Sequence, residues 1–368
     1  MKILFIEDDP SAVDDAIELL EKAEFKAIVK NFTEANENLL KIKPDVVVLD
    51  LFNTLQGSKH VSEGGNSFRQ IWEKRFCPVV IYSSDPDGFE DDDDTRNHPF
   101  IKRVKKGRDG YKEVVSIVQS FAVHVHALRE TEAHFVQEMT TVLKKVAPNI
   151  FDSYDENQRA DALVRACRRR LAASMDEYSH DGTLLANWEQ YIFPVISKDL
   201  LLGDILCASY KDATDPNNFF VVLTPSCDLV NTSKREPKVN NVLVAECCSL
   251  SDGKKYSEVL KAKKAKLGDG RLKVALSAGY FDSLLPLPAL TNLIPHMLVN
   301  FKKLKLIPFN EIGDSNEKQY IRKASIDSPF RELISWAYMQ VAGRPGLPDR
   351  DFETWVKQLI DQMPDETK

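Results

Sequence analysis

From Met1 to about Phe121, short apolar runs alternate with stretches in which apolar residues return every three or four positions. A short apolar run reads as a strand, and a return at three to four reads as a helix with one buried face. The strands predicted this way are Ile3 to Ile6, Phe25 to Val29, Val46 to Leu49, Val79 to Tyr82 and Ile101 to Val104. Helical spacing covers Ala12 to Ala23, Thr33 to Lys41, Ser67 to Lys74 and Tyr111 to Phe121. Strands alternating with helices predict an α/β domain, a parallel sheet covered on both faces.

Beyond Tyr111 the helical pattern meets no stop signal until Pro148. Its apolar positions Tyr111, Val114, Val118, Phe121, Val125, Leu128, Phe135, Met139, Val142 and Val146 keep a heptad rhythm broken only at Glu132. That rhythm fits a coiled-coil seam in a homodimer and equally a helix laid on its own domain. A second helical block, Glu156 to Glu177, reads as a connector. After Pro194 the texture changes to short β-branched runs separated by Gly, Pro and Asn: Gly203 to Leu206, Phe219 to Thr224, Asn241 to Ala245, Leu272 to Leu276 and Leu304 to Ile307. These predict a β-rich domain, with a small, partly open barrel as one arrangement. Helix returns at Pro329 to Ala342 and Asp351 to Met363. The expected layout is a first domain over residues 1–121, a helical linker over 122–193 and an α+β output domain over 194–368.

Composition narrows the class. A chain of 368 residues with 43% hydrophobic content is long enough for about two or three domains. The formal net charge of -7, with an acidic run from Gly88 to Thr95 that reads as a solvated loop, does not favour general nucleic-acid binding. No apolar run reaches the roughly 18 residues a membrane-spanning helix needs, and the N-terminus enters a strand directly, without the zones of a signal peptide. The expectation is a cytoplasmic chain with no membrane partner. Cys77, Cys167, Cys207, Cys227, Cys247 and Cys248 are scattered without CxxC spacing, which points to reduced thiols.

Candidate chemistry gathers at the carboxyl ends of the predicted strands, where open α/β sheets place their ligands. Glu7 and Asp8, with Asp9 beside them, follow the first strand, and Asp50 follows the third. Such carboxylates can hold a Mg²⁺ ion, and the ion offsets the charge crowding that phosphoryl transfer to a carboxylate creates. Ser83 ends the fourth strand with a hydroxyl. Lys106 follows the fifth, with Lys105 as the alternative if the strand register slips by one. A hydroxyl and an ammonium can each bond one phosphoryl oxygen. Any one acid after a strand is also a common helix cap, so a module of this fold that only binds proteins is the competing reading.

Acids after strand one, an aspartate after strand three, Ser after strand four and Lys after strand five together resemble the receiver domain of bacterial two-component response regulators. The resemblance covers the first third of the chain. It implies a five-stranded, doubly wound, flavodoxin-like fold, with Asp50 as phosphoacceptor, Ser83 as switch hydroxyl and Lys106 as the conjugate lysine. It also implies Mg²⁺ on Glu7, Asp8, Asp50 and the backbone carbonyl of Phe52, and a histidine kinase or small phosphodonor as partner. Three segments depart from the family pattern: Leu51 to Asn66 is long, Asp85 to Pro99 carries the aspartate run in place of an ordinary helix, and Gly107 stands where proline is common.

The output half offers weaker signals. Cys227 and Asp228 sit just past an apolar run, and Cys247, Cys248 and His296 follow, so a cysteine nucleophile or a zinc site would make this half an effector enzyme, a nuclease or metal-dependent hydrolase gated by the receiver. Ordinary buried cysteines explain the same residues. The lysines between Gly253 and Lys273, with Lys302, Lys303 and Lys305, could meet phosphates, but without interleaved aromatics a solvated surface accounts for them.

Overall fold

Val46–Leu49 is apolar and buried at every position, as a strand covered on both faces must be. It forms β3 of a parallel sheet with β1 (Lys2–Ile6), β2 (Lys26–Lys30), β4 (Val79–Ser83) and β5 (Ile101–Lys105), in the order β2-β1-β3-β4-β5. This is the computed structural model of the chain, and it describes residues 1–52, 61–89, 92, 95–175, 184–232, 235–254, 256–257, 261, 273, 276, 283–343 and 350–362. The chain divides into two compact units, Met1–Ser179 and His180–Lys368.

In the first unit, α1 (Asp14–Lys22) and the start of α4 (Gly110–Lys145) cover one face of the sheet, where Phe5, Leu20, Val80, Val114, Val118 and Phe121 share a core. The other face is covered by α2 (Phe32–Ile42) and α3 (Val61–Lys74), through Leu39, Phe68 and Ile71. Between β4 and β5 the described residues hold only a single 3-10 turn at Pro86–Gly88. Phe89 packs into the core there, its ring edge-on to Phe68 at 4.7 Å. Residues 90, 91, 93 and 94 of the acidic run, and residues 53–60 of the long segment after Asp50, lie outside the described residues.

The heptad positions resolve in favour of self-packing over the first half of α4. Val114, Val118, Phe121 and Val125 are buried in the unit's own core, so a partner helix cannot use them. Farther along, Leu128 is 64% exposed and Leu143 57%. The helix ends against α5 (Ala147–Ser153) and α6 (Glu156–Met175), to which Glu138 is tied by Arg170.

The second unit is built on a mainly antiparallel sheet, ordered β10-β11-β9-β8-β7-β13-β12, with β6 (Tyr191–Ile192) paired to β13. Its strands are β7 (Asp204–Ala208), β8 (Phe219–Val222), β9 (Asn241–Cys248), β10 (Leu284–Leu287), β11 (Met297–Pro308), β12 (Ile312–Gly313) and β13 (Tyr320–Ile326). Among the described residues the sheet does not close into a barrel, and β10 and β12 end its strand order. Period-two alternation gives it two cores. Phe219, Val221, Val299 and Phe301 face one way, against α8 (Phe330–Ala342), and Phe220, Val222, Val244 and Ile307 face the other. A short α7 (Ser226–Leu229) follows β8, and α9 (Phe352–Asp361) lies near the end of the chain. Of the predicted strand from Leu272 to Leu276 only Lys273 and Leu276 are described, and both are helical rather than extended; most of the lysine-rich stretch from Gly253 to Lys273 falls outside the described residues. No helix among those described is long and apolar enough to cross a membrane.

Candidate functional site

Parallel strands all finish at the same edge, so residues far apart in sequence meet there. Glu7 directly follows β1, Asp50 directly follows β3, and each can place one carboxylate oxygen, together with one of Asp8, within 4.8 Å of the other two. Among the described residues this is the one group of three or more metal-ligating side chains that converges. Lys106 directly follows β5 and reaches into the cluster, its Nζ donating to Glu7 Oε2 at 2.6 Å and to Asp50 Oδ2 at 2.8 Å. Lys105, by contrast, is the last residue of β5 and is exposed. The Lys106 amide donates to the Ser83 carbonyl at 2.8 Å, fixing the chain just where the side chain turns inward.

Burial sets the electrostatics. It pushes the Glu7 carboxyl up to about 7; the hydrogen bond from Lys106 opposes this and the neighbouring Asp50 charge adds to it. Burial also presses Lys106 toward losing its proton, but its hydrogen bonds to Asp50 and Glu7 outweigh that and hold its pKa above the ordinary value. The Asp50 carboxylate is further oriented by the Leu51 amide, which donates to Oδ1 at 2.7 Å. Ser83 is fully buried at the end of β4, and its Oγ has no hydrogen-bond partner. An unpaired buried hydroxyl costs roughly 1–3 kcal/mol, so it marks a place where a partner is expected. Phe52 is buried two residues after Asp50.

The donor set fits magnesium. All three converging groups are carboxylates, the hard oxygen ligands that ion takes, and the cluster already draws in a cation in the form of Lys106.

Three supporting residues escaped the sequence reading. A Cβ at Gly64 would stand 2.5 Å from the Leu51 Cα and 2.8 Å from the Asp50 carbonyl, so only glycine lets α3 lie this close to the loop after β3. Gly110 does the same for the start of α4, where a Cβ would stand 2.5 Å from the Lys105 carbonyl. Tyr82 places its ring 5.8 Å from Lys106 Nζ. The Gly64-Gly65 pair inside an otherwise amphipathic helix was the available signal.

The output residues do not assemble a comparable site. Cys227 is exposed on α7, its Sγ beside Asp228, and Asp228 pairs with Lys238 at 3.0 Å. Cys247 and Cys248 are buried, and burial raises both thiols above their ordinary pKa. His296 instead accepts a hydrogen bond from the Ala289 amide at 3.1 Å. Among the described residues no metal-ligand group forms from these side chains.

The strand order β2-β1-β3-β4-β5 is that of the flavodoxin-like doubly wound sheet, with the acids, hydroxyl and lysine gathered at its carboxyl edge. Three solved structures are similar to this part of the chain. The receiver domain of Klebsiella pneumoniae RstA is 22% identical over 34% of this chain and 98% of its own, with a TM-score of 0.24. The N-terminal domain of a response regulator/sensory box/GGDEF protein from Carboxydothermus hydrogenoformans is 19% identical over 36% of this chain and 100% of its own, with a TM-score of 0.26. A response regulator receiver domain from Methanoculleus marisnigri is 21% identical over 33% of this chain and 96% of its own, with a TM-score of 0.24. No protein-family model and no curated protein matches the chain.

Proposed function

We propose that the chain is a response regulator of the two-component type, whose first unit takes a phosphoryl group on Asp50 from a histidine kinase or a small phosphodonor and thereby controls what its second unit binds. The observation that carries this reading is the meeting of Glu7, Asp8 and Asp50 around Lys106 at one sheet edge, with the partnerless Ser83 hydroxyl ending the adjacent strand.

In the step itself an Asp50 carboxylate oxygen attacks phosphorus. The P–N bond of a phosphohistidine, or the P–O bond of an acyl phosphate, breaks, and the leaving imidazole or carboxylate keeps the bonding pair. Glu7, Asp8, Asp50 and the Phe52 carbonyl would hold Mg²⁺, whose charge offsets the crowding of carboxylate and phosphoryl oxygens. Lys106 exchanges its bond to Asp50 for one to a phosphoryl oxygen, and Ser83 donates its idle hydroxyl to another. Both changes pull on the ends of β4 and β5, beside the start of α4. A homodimer would use the stretch of α4 beyond Val125, where Leu128, Val136 and Leu143 are open.

Incubation with Mg²⁺ and acetyl phosphate, followed by intact-mass measurement, tests the reading. One added phosphoryl group is expected on the native chain and none on Asp50→Asn. No addition to the native chain would leave a receiver-shaped binding module and overturn the proposal.

A further inference from the structure

The amino-terminal edge of the same sheet, opposite the carboxylate cluster, holds a cavity of about 440 Å³. Its floor is the chain entering β3, β4 and β5, and its wall is the stretch of α4 from His124 to Glu132. That volume lies within the range of small-molecule sites, roughly 300–1,000 Å³.

Charge within it is unbalanced. Lys2, Lys43, Arg75 and Arg129 line the cavity against only Asp45 and Glu132. Asp45 is already used: it accepts from the Lys2 amide and from Arg129, whose Nε stands at 2.7 Å. Arg75 Nε is buried with no hydrogen-bond partner. The Arg75 guanidinium is part of the lining, and a carboxylate or phosphate is the group its planar fork fits. The rest of the lining is apolar and aromatic. Phe76 and Phe100 lie beside Val125 and Leu128, the Phe76 ring is edge-on to His98 at 5.4 Å, and Phe100 is edge-on to His124 at 5.5 Å.

We propose that this cavity is a binding site for a small aromatic anion, its acidic group on Arg75 and Lys43 and its flat body against Phe76 and Phe100. The site shares no residue with the carboxylate cluster. Because His124, Val125, Leu128 and Arg129 all belong to α4, occupancy would brace the helix against the base of the sheet independently of Asp50.

The test is equilibrium dialysis of the full chain with 1-naphthoate and 1-naphthyl phosphate, against neutral 1-naphthamide and ringless acetate. Saturable binding of at least one aromatic anion is expected, and which of the two binds tells carboxylate from phosphate. A charge-assisted hydrogen bond is worth about 1.5–3 kcal/mol, so Arg75→Gln should weaken that binding by about tenfold or more, and Asp50→Asn should leave it unchanged. Equal affinity for naphthamide, unaltered binding by Arg75→Gln, or no saturation by either anion up to about 1 mM, the weak end of specific affinities, would overturn the proposal. Should Arg75→Gln fail to fold, Lys43→Gln, at an exposed helix end, replaces it: a loss of affinity supports the site and an unchanged affinity removes it.

Discussion

In the first unit the buried charges of Glu7 and Asp50 sit at the rim of a parallel sheet, and the lysine that neutralises them is still 22% exposed. In the second unit Asp204 and Arg322 lie inside an antiparallel sheet, 0% and 3% exposed, their Oδ2 and Nε 3.1 Å apart. The inner pair is closed off by further bonds: Ser325 Oγ donates to Asp204 at 2.5 Å, and both terminal nitrogens of Arg322 donate to the Ser197 carbonyl at 3.1 Å. The rim cluster keeps an unsatisfied hydroxyl and a cation that can change partners. Buried charge paired within the sheet to groups that cannot move away holds strands together, whereas buried charge with an exchangeable partner at a strand end is equipped for chemistry.

The contrast breaks first at Arg322. Burial already raises the Asp204 carboxyl against the opposing pull of Arg322, so Arg322→Ala strands a charge in the core. The expected loss is about 3–5 kcal/mol, read as a lower urea midpoint. Removing both partners in Asp204→Asn with Arg322→Met should recover most of it, since two well-packed neutral groups are close to an ion pair in net worth. An Arg322→Ala chain as stable as the native one would show the inner pair to be no more structural than the rim cluster.

The same pair shows where sequence reading stops. The parallel strands β1, β3 and β4 are continuous apolar runs, and their bounds could be read to within a residue because double-sided burial leaves no ambiguity of face. The acids after them were legible for the same reason: a strand end fixes a position in space. Which of Lys105 and Lys106 lies within the strand was not, since a shift of one residue reverses the face, and the register pairs Ser83 with Lys105. Strand β13 was missed because Arg322 and Lys323 interrupt it, and a charge reads as surface unless its distant partner is known. Strand β10 was missed because Pro286 demotes a strand signal; it lies at the sheet edge, where proline is tolerated. The heptad rhythm on α4 was real, but a helix face buried by a sheet and one buried by another helix carry the same period.

A smaller effect sharpens the rim side of the comparison. Lys106→Met removes the cation that Glu7 and Asp50 share, and without magnesium the loss of these charge-assisted bonds should cost about 1–3 kcal/mol at pH 8. Unlike the Arg322 defect, this one is repairable from solution. Magnesium should raise the Tm of Lys106→Met more than that of the native chain, because the ion then supplies the only positive charge in the cluster. Equal increments in the two chains would mean that Lys106 does not stand in for a cation there.

The finest test follows the Glu7 proton. Its pKa rises from 4.5 to about 7 on folding, so between those values the folded chain holds a proton that the unfolded chain has released. The stability this group contributes is full below pH 4.5, declines as pH rises, and is gone once pH passes about 7. The metal-free Tm of the native chain should therefore fall over that window relative to Glu7→Gln, which has no proton to lose. Magnesium binding runs the opposite way, because the carboxylate must be free of its proton to act as a ligand. Affinity for the ion should be about tenfold weaker at pH 6 than at pH 8 and level off above that, and Glu7→Gln should remove this dependence. A flat profile in the native chain would mean that the Glu7 carboxylate is ionised throughout, and the rim would then hold its charges as firmly as the interior pair does.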